Sequence, residues 1–351
     1  MSRRSRRLTR PGQVLGVLAI TALPVTAQEV IELPAEDRLL DAGFDELYRV
    51  GSLLGGDWDT FGRVVDVAFD GSGNLYVLDT QAARISVVGL QGDLVRRFGR
   101  VGEGPGEFMA LFDAVFLSDD RIVALDGGRV LATLFDSSGE VLKTFPLREQ
   151  LNPRAVVAID DSTFLIGGLV GSPGGSDHLA RLYSLDGSVS ESFFPADRLL
   201  FDTQMVVDRV WGVALPGGTL ALGLAITPAI HLFSETGAHI CTQASEPPQW
   251  SQLLPRDEPG AMDQATREWI QRATLTAGAA YAGGSLYRQY GSSGEGGVSL
   301  LAEYDDALNL RDVYAGFPGR LVGGDGETLF FLGEETIDAT RLLRFQRSGR
   351  E

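Results

Sequence analysis

The chain has 351 residues, of which 44% are hydrophobic and 22% charged, with 44 glycines and 15 prolines, a composition that excludes a disordered or collagen-like chain and suits one large domain or two ordinary ones. Its net charge is −17 from 30 basic and 47 acidic residues, and five of the bases, Arg3, Arg4, Arg6, Arg7 and Arg10, crowd the first ten positions. The remaining 25 against 47, near −22, repel phosphate backbones and anionic headgroups, which excludes nucleic acid and a polybasic membrane contact.

Those arginines, the apolar run from Val14 to Leu23, and Val25-Thr26-Ala27 before Gln28 follow the layout of a signal peptide over residues 1–27. Ser5-Arg6-Arg7 leaves twin-arginine export open beside the general route. An uncleaved anchor needs about twenty apolar residues, and Pro24 stops the run well short of that. The mature chain is therefore expected to be soluble, in the periplasm or outside the cell. Its single cysteine, Cys241, rules out an intramolecular disulfide and reads as a small core residue.

From residue 61 onward a short apolar strand, a Gly/Asp turn and a second apolar strand recur, as in Val65–Phe69, Asp70–Gly73, Asn74–Asp79 and again in Ala114–Leu117, Ser118–Asp120, Arg121–Asp126. The first large apolar residue of the second strand, Leu75, Ile122, Phe164, Leu220, Leu286 and Leu329, marks six units with gaps of 47, 42, 56, 66 and 43. A later turn repeats as Gln91-Gly92-Asp93, Ser138-Gly139-Glu140, Asp186-Gly187-Ser188 and Thr236-Gly237-Ala238, with Asp305-Asp306 in the fifth unit. Four short strands every 40–50 residues predict an all-β, six-bladed β-propeller. Helical repeats are excluded by the period-2 alternation of Val, Phe, Leu and Tyr between frequent glycines.

The sixth unit has room for three strands, Arg320–Val322, Thr328–Leu332 and Ala339–Phe345, so its open edge calls for a partner. Glu46–Gly51 is predicted to be that outer strand, closing the last blade of a propeller over residues 45–346, with a tail at 347–351. Residues 28–44 read as an arm lying across the ring. Between the fourth and fifth units, Ala244–Thr274 supplies about twenty surplus residues. Ala261, Ala265 and Trp269 recur there at helical spacing after Asp257, predicting one short helix that packs on the propeller.

Phe98-Gly99-Arg100-Val101-Gly102-Glu103-Gly104-Pro105-Gly106-Glu107-Phe108, followed by a strand, a turn and Ile122–Asp126, resembles the blade junction of NHL-type six-bladed propellers. Gly73–Asp79 with Arg84-Ile85 resembles the same repeat. The whole chain is similar to the secreted bacterial six-bladed propellers of that superfamily, most of unassigned function. The motif is specific over residues 61–146, and beyond residue 150 turn spacing carries the likeness.

The resemblance implies a family that includes metal-dependent lactonases and lyases, so each candidate residue is weighed on its own chemistry. His178, His231 and His239 are the only histidines, with His231 in a strand and His239 past a turn on the opposite rim, which argues against a zinc site and leaves calcium as the one cofactor open. A lactonase-like calcium site would draw Asn and acidic residues from the channel mouth. Of the asparagines, Asn74 and Asn309 fall on turns of the far rim and only Asn152 lies near the mouth. Asp79, Asp126 and Glu334 follow second strands and point that way, yet carboxylates so placed are expected to bind backbone amides of neighbouring blades. No Gly-x-Ser-x-Gly elbow or Walker loop exists, and Gly102-x-Gly104-x-x-Glu107 lacks the last glycine of a dinucleotide fingerprint.

One rim carries turns of two to four residues and the other carries Val101–Phe108, Gly168–Asp177, Pro195–Gln204, Ala244–Thr274 and Gly291–Gly297. Long loops on a rigid scaffold are where binding residues gather. Ligand-binding candidates there are Trp58, Asp79, Arg100, Glu103, Asp126, Arg267 and Trp269, with Trp250 beside them. Asp126 is expected nearest the axis, Arg100 and Glu103 form a loop ion pair or clamp, and Trp211 is core. On the opposite rim Asp70, Asp93 and Glu140 are expected to matter little, within about 0.5 kcal/mol. The functional expectation is an exported, monomeric, non-enzymatic propeller that binds a protein, peptide or glycan. The alternatives are a calcium-dependent esterase or lactonase and a structural module of an envelope assembly.

Overall fold

A computed structural model describes residues 30–33, 38–39, 44–51, 58–117, 119–148, 150–170, 178–195, 210–247, 268, 275–291, 299–317, 319–326, 328–333 and 342–347. The N-terminal segment gives β1 (Ile31–Glu32), β2 (Arg38–Leu39) and β3 (Phe44–Val50). Sheet 1 is β4 (Val64–Phe69), β5 (Leu75–Asp79), β6 (Arg84–Val88) and β7 (Leu94–Phe98); sheet 2 is β8 (Leu111–Phe116), β9 (Ile122–Asp126), β10 (Leu131–Phe135) and β11 (Val141–Pro146). Sheet 3 is β12 (Gln150–Ala158), β13 (Thr163–Val170), β14 (His178–Ser184) and β15 (Val189–Pro195); sheet 4 is β16 (Val210–Leu215), β17 (Thr219–Leu224), β18 (Ala229–Ser234) and β19 (His239–Glu246), with β1 added. Sheet 5 is β20 (Leu275–Ala282), β21 (Ser285–Gly291), β22 (Ser299–Tyr304) and β23 (Leu310–Ala315), with β2 added. Sheet 6 is β24 (Arg320–Asp325), β25 (Thr328–Leu332), β26 (Leu342–Arg347) and β3.

The sheets are antiparallel meanders set in a propeller arrangement. Their first strands touch in the order β4, β8, β12, β16, β20, β24 and back to β4. The apolar core is correspondingly divided into layers between successive sheets, from Tyr76, Ile85 and Phe108 facing Ile122 and Phe135, to Val322 and Phe330 facing Val64 and Val77. The second strands, such as β5 and β9, are buried at every residue because they have strands on both edges and sheets on both faces. Outer strands such as β7 alternate half-buried and exposed residues, the period-2 pattern of a one-sided strand.

β3 pairs antiparallel with β26 and begins at Phe44, two residues before the expected Glu46. Phe44 is buried and meets the rings of Tyr314 and Tyr287 edge-on, with centroids 5.4 and 6.1 Å away. The arm does not simply lie across the ring. β1 and β2 add in parallel to the outer strands β19 and β23, where an edge offers unpaired backbone groups.

Of the predicted insertion, Ala244–Glu246 instead continue β19, and within the predicted helix only Glu268, helical and exposed, is described. Of the tail expected at 347–351, Arg347 instead ends β26, and residues 348–351, like the predicted signal peptide at 1–27, lie outside the described residues, among which no helix is long and apolar enough to cross a membrane.

The turn between the third and fourth strands serves as an inter-sheet spacer. Gly139, Gly187 and Gly237 all have left-handed backbone, and a Cβ on them would come within 2.8, 3.0 and 2.6 Å of Phe98, Phe145 and Phe193, the aromatic near the end of the preceding sheet's outer strand. Glycine answers both demands at once. Nearby, Gly71 N donates to Asp120 Oδ1 (2.7 Å), Arg121 Nη2 to the Asp161 carbonyl (2.7 Å) and Lys143 Nζ to the Asp186 carbonyl (2.9 Å), tying sheet to sheet.

The short turns are therefore not dispensable. Asp70 accepts from Ser72 N, Asn74 N, Asn74 Nδ2 and Tyr76 Oη, which corrects the expectation that its loss is nearly neutral. Asp70→Ala is expected to cost about 1–2 kcal/mol in urea denaturation, because it strands turn donors that the carboxylate now satisfies.

Candidate functional site

Asp79 and Asp126 end the second strands of sheets 1 and 2 and are almost completely buried. Asp79 accepts from Gly62 N (3.0 Å), Arg63 N (3.1 Å), Gln81 N (3.1 Å) and Ala82 N (3.2 Å). Asp126 accepts from Met109 N (3.0 Å), Ala110 N (3.1 Å), Gly128 N (3.0 Å) and Arg129 N (3.2 Å), and from Arg129 Nε at 2.7 Å. Each carboxylate thus clamps its own sheet's incoming loop to the following turn, where bonds to neighbouring sheets were expected. Burial alone would raise the Asp126 carboxyl, but the Met109 amide, Arg129 and the Ala110 amide outweigh it and hold it below the usual carboxylate range.

The loop that carries the junction motif closes on itself. Arg100 pairs with Glu107, Nε to Oε1 at 2.7 Å, and Gly104 N donates to Glu107 Oε2 at 2.8 Å. The Gly104 amide and Arg100 keep the Glu107 carboxyl below its ordinary range. Arg129 donates to the Glu103 and Glu107 carbonyls, both at 2.6 Å. The partner of Arg100 is therefore Glu107 and not Glu103, which offers its carbonyl and leaves its side chain exposed.

Arg100 also lines a cleft of about 550 Å³ together with Pro105, Gly106, Phe135, Gly139 and Glu140. Expected on opposite rims, Arg100 and Glu140 share this cleft, because the end of one outer strand lies beside the turn of the next sheet. Trp58 is half-buried against the core layer between sheets 6 and 1. Trp250, Arg267, Trp269 and Glu334 lie outside the described residues. Trp211 is half-buried, with its ring over Gly223 and 5.2 Å from the Arg288 guanidinium carbon.

Asp126 is not the acidic residue nearest the axis, since β9 lies one strand out from β8. Two carboxylates outside the sequence-predicted site, Asp66 and Asp113, sit on the inner strands β4 and β8, each directly after a bulge that re-aims the chain. They hydrogen-bond each other across the junction of sheets 1 and 2. Asp113 Oδ2 also accepts Val156 N of β12 at 2.8 Å. On the other side Arg320, exposed at the start of β24, donates to the Val64 and Val65 carbonyls (3.3 and 3.4 Å) and attracts Asp66. One polar chain therefore runs along four consecutive inner strands, near the ends that the long loops feed.

Asp113 is 8% exposed, and Asp66 is half-buried. Burial raises both carboxyls, and Asp66 raises Asp113 further by repulsion and hydrogen bonding. Asp66 is pushed up to about 6 despite the hydrogen bond from Asp113, the Val67 amide and Arg320. The pair holds protons that the unfolded chain would release, so its contribution to stability is full below the ordinary aspartate value, and the share of Asp66 is lost as pH rises through about 6 while Asp113, raised further by burial and by Asp66, gives up its own at higher pH. Asp66→Asn is expected to flatten the fall in melting temperature between pH 4 and 7 and to stabilise the protein by about 1–3 kcal/mol at neutral pH.

His231 and His239, expected to be separated, meet at Thr242. His231 Nδ1 and His239 Nε2 each lie 2.9 Å from Thr242 Oγ1, with ring centroids 6.3 Å apart. Burial, His239 and Arg288 lower His231 to about 4. Among the described residues, no three His, Cys, Asp or Glu side chains are grouped to hold a metal. Cys241 is half-buried on β19, and burial pushes its thiol up, away from nucleophilic character.

No family model and no curated protein sequence matches the chain. In three dimensions it is similar to a protein from Bacteroides fragilis provisionally named as exported, with 13% identity and a TM-score of 0.68 over 91% of this chain and 99% of the other. A DUF4221 family member from Bacteroides vulgatus gives 12% and 0.59 over 87% and 97%. A luciferin-regenerating enzyme gives 10% and 0.52 over 86% and 97%. At these identities the likeness extends to the propeller fold and does not single out NHL-type repeats.

Proposed function

We propose that the chain is an exported six-bladed propeller, each sheet one blade and the last closed by β3, that binds a protein, peptide or glycan partner at the long-loop mouth and catalyses no reaction. Its first 27 residues would be the export signal, a reading supported by the arginine-rich start and by the provisional name of the B. fragilis neighbour. The observation that carries the binding reading is that Asp79, Asp126 and Glu107, the rim carboxylates best suited to hold calcium or activate water, are all taken up by loop amides and guanidinium groups. At the mouth, Arg320 is exposed and Asp66 half-buried, and a ligand's amides, hydroxyls or carboxylates would meet this polar pair beside the bonds Arg320 makes to the Val64 and Val65 carbonyls.

Purified protein would be screened on peptide and glycan arrays and, with added calcium, against a panel of esters and lactones. Saturable binding without turnover is the expected outcome. Calcium-dependent hydrolysis that Asp79→Asn abolishes would contradict the reading.

A further inference from the structure

The outer strands of sheets 4 and 5 are each covered by the N-terminal arm, β1 on β19 and β2 on β23, whereas β7, β11, β15 and β3 end their sheets with no further strand among the described residues. At the junction of sheets 4 and 5, β1 pairs Ile31 with Ser245 and Glu32 with Glu246, and Leu33 N donates to the Glu246 carbonyl at 2.9 Å. Leu33 is buried in the same apolar layer as Leu308.

Among the described residues, no strand fills the corresponding place between sheets 2 and 3. Phe145 faces Ala132 across the last strand pair as Gln243 faces Ile230 in sheet 4. Gly187 stands where Leu308 stands in sheet 5, both with left-handed backbone. Between them lies a cleft of about 520 Å³ lined by Phe145, Arg148, Arg181, Asp186, Gly187 and Val189, in which the Asp186 carboxylate is held by Ser188 N (2.8 Å) and Ser188 Oγ (2.6 Å) while Arg148 stays open. Val189 is 42% exposed. The Arg148 side chain is exposed and makes no hydrogen bond or ion pair among the described residues. In a chain of net charge −17, an unpaired guanidinium beside an open sheet edge marks a place where an acid can be received.

We propose that this cleft, separate from the channel mouth, seats an extended acidic segment of a partner protein, with a carboxylate on Arg148 and an apolar side chain against the exposed Val189. The occupant is held differently from β1. The Arg148 carbonyl already accepts Arg181 Nη1 (2.9 Å) and Tyr183 Oη (3.4 Å), and Pro146 has no N–H, so side chains and not a backbone ladder carry the recognition.

The probe is a labelled peptide with the sequence of residues 28–35, Gln-Glu-Val-Ile-Glu-Leu-Pro-Ala, the chain's own strand-adding pattern, titrated with the purified protein by fluorescence anisotropy. Saturable binding is expected, weakened about tenfold by Arg148→Glu and about fivefold by Val189→Lys, while Arg97→Glu on β7 leaves it unchanged. Exchanging the peptide's glutamates for lysines should lose binding to the wild type and recover part of it with Arg148→Glu, a reversal that damaged folding cannot imitate. The proposal is overturned if the peptide does not bind, or if it binds Arg148→Glu equally well by displacing the arm from sheet 4. It is equally overturned if the protein forms a dimer that Arg148→Glu dissolves, since the occupant is then a second copy.

Discussion

Asp126→Ala is expected to lower stability by about 3–5 kcal/mol in urea denaturation, the largest loss among the rim residues. The carboxylate is 1% exposed and receives four backbone amides and Arg129 Nε, so removing it leaves those donors and one guanidinium without their acceptor. Arg129 also holds the Glu103 and Glu107 carbonyls, so the whole 99–110 loop should loosen with it. Asp126→Asn, which keeps one acceptor oxygen, should cost about half as much. A change below about 1 kcal/mol for the alanine variant would mean that the clamp is not what orders the loop.

Phe44→Ala should cost about 3–5 kcal/mol, as expected for a buried aromatic with two edge-to-face ring partners. The loss has a topological side. Phe44 starts the strand that covers β26, and its ring lies in the layer between sheets 5 and 6, so weakening it loosens the joint between the two ends of the chain. The variant should unfold at lower urea and show faster amide exchange in β26 than in β9. Equal acceleration in both strands would argue against a seal that opens locally.

Much of the fold was legible because strand length, turn chemistry and repeat spacing are local properties: Leu75 and Ile122 are 47 apart, and so are Gly92 and Gly139. The site was less legible because it depends on how sheets twist against one another. Asp66 and Asp113 stand nine residues before Leu75 and Ile122, a regularity visible in the sequence, but Asp66 lies inside the expected strand Val65–Phe69 and Asp113 just before Ala114–Leu117, so neither stands out as a site residue. Only the bulges before them turn both carboxylates toward each other. The same twist sets Arg100 beside Glu140, whereas His231 and His239 reach Thr242 within sheet 4, where His231 faces Thr242 across β18 and β19 and a bulge shifts the register beside His239, pairings that alternation along a single strand does not encode. The structural role of Asp79 and Asp126 was foreseen, while their choice of partner, the loop of their own sheet, was not.

The most direct test compares Arg320→Ala with Asp126→Asn for binding to the strongest array ligand, at a temperature where both variants are fully folded. The account predicts that Arg320→Ala loses binding by about tenfold or more with little change in melting temperature, whereas Asp126→Asn melts earlier yet binds within about twofold of the wild type. The reverse pattern, full binding by Arg320→Ala and its loss in folded Asp126→Asn, would contradict a scaffold role for the rim carboxylates and a ligand seat at the channel mouth.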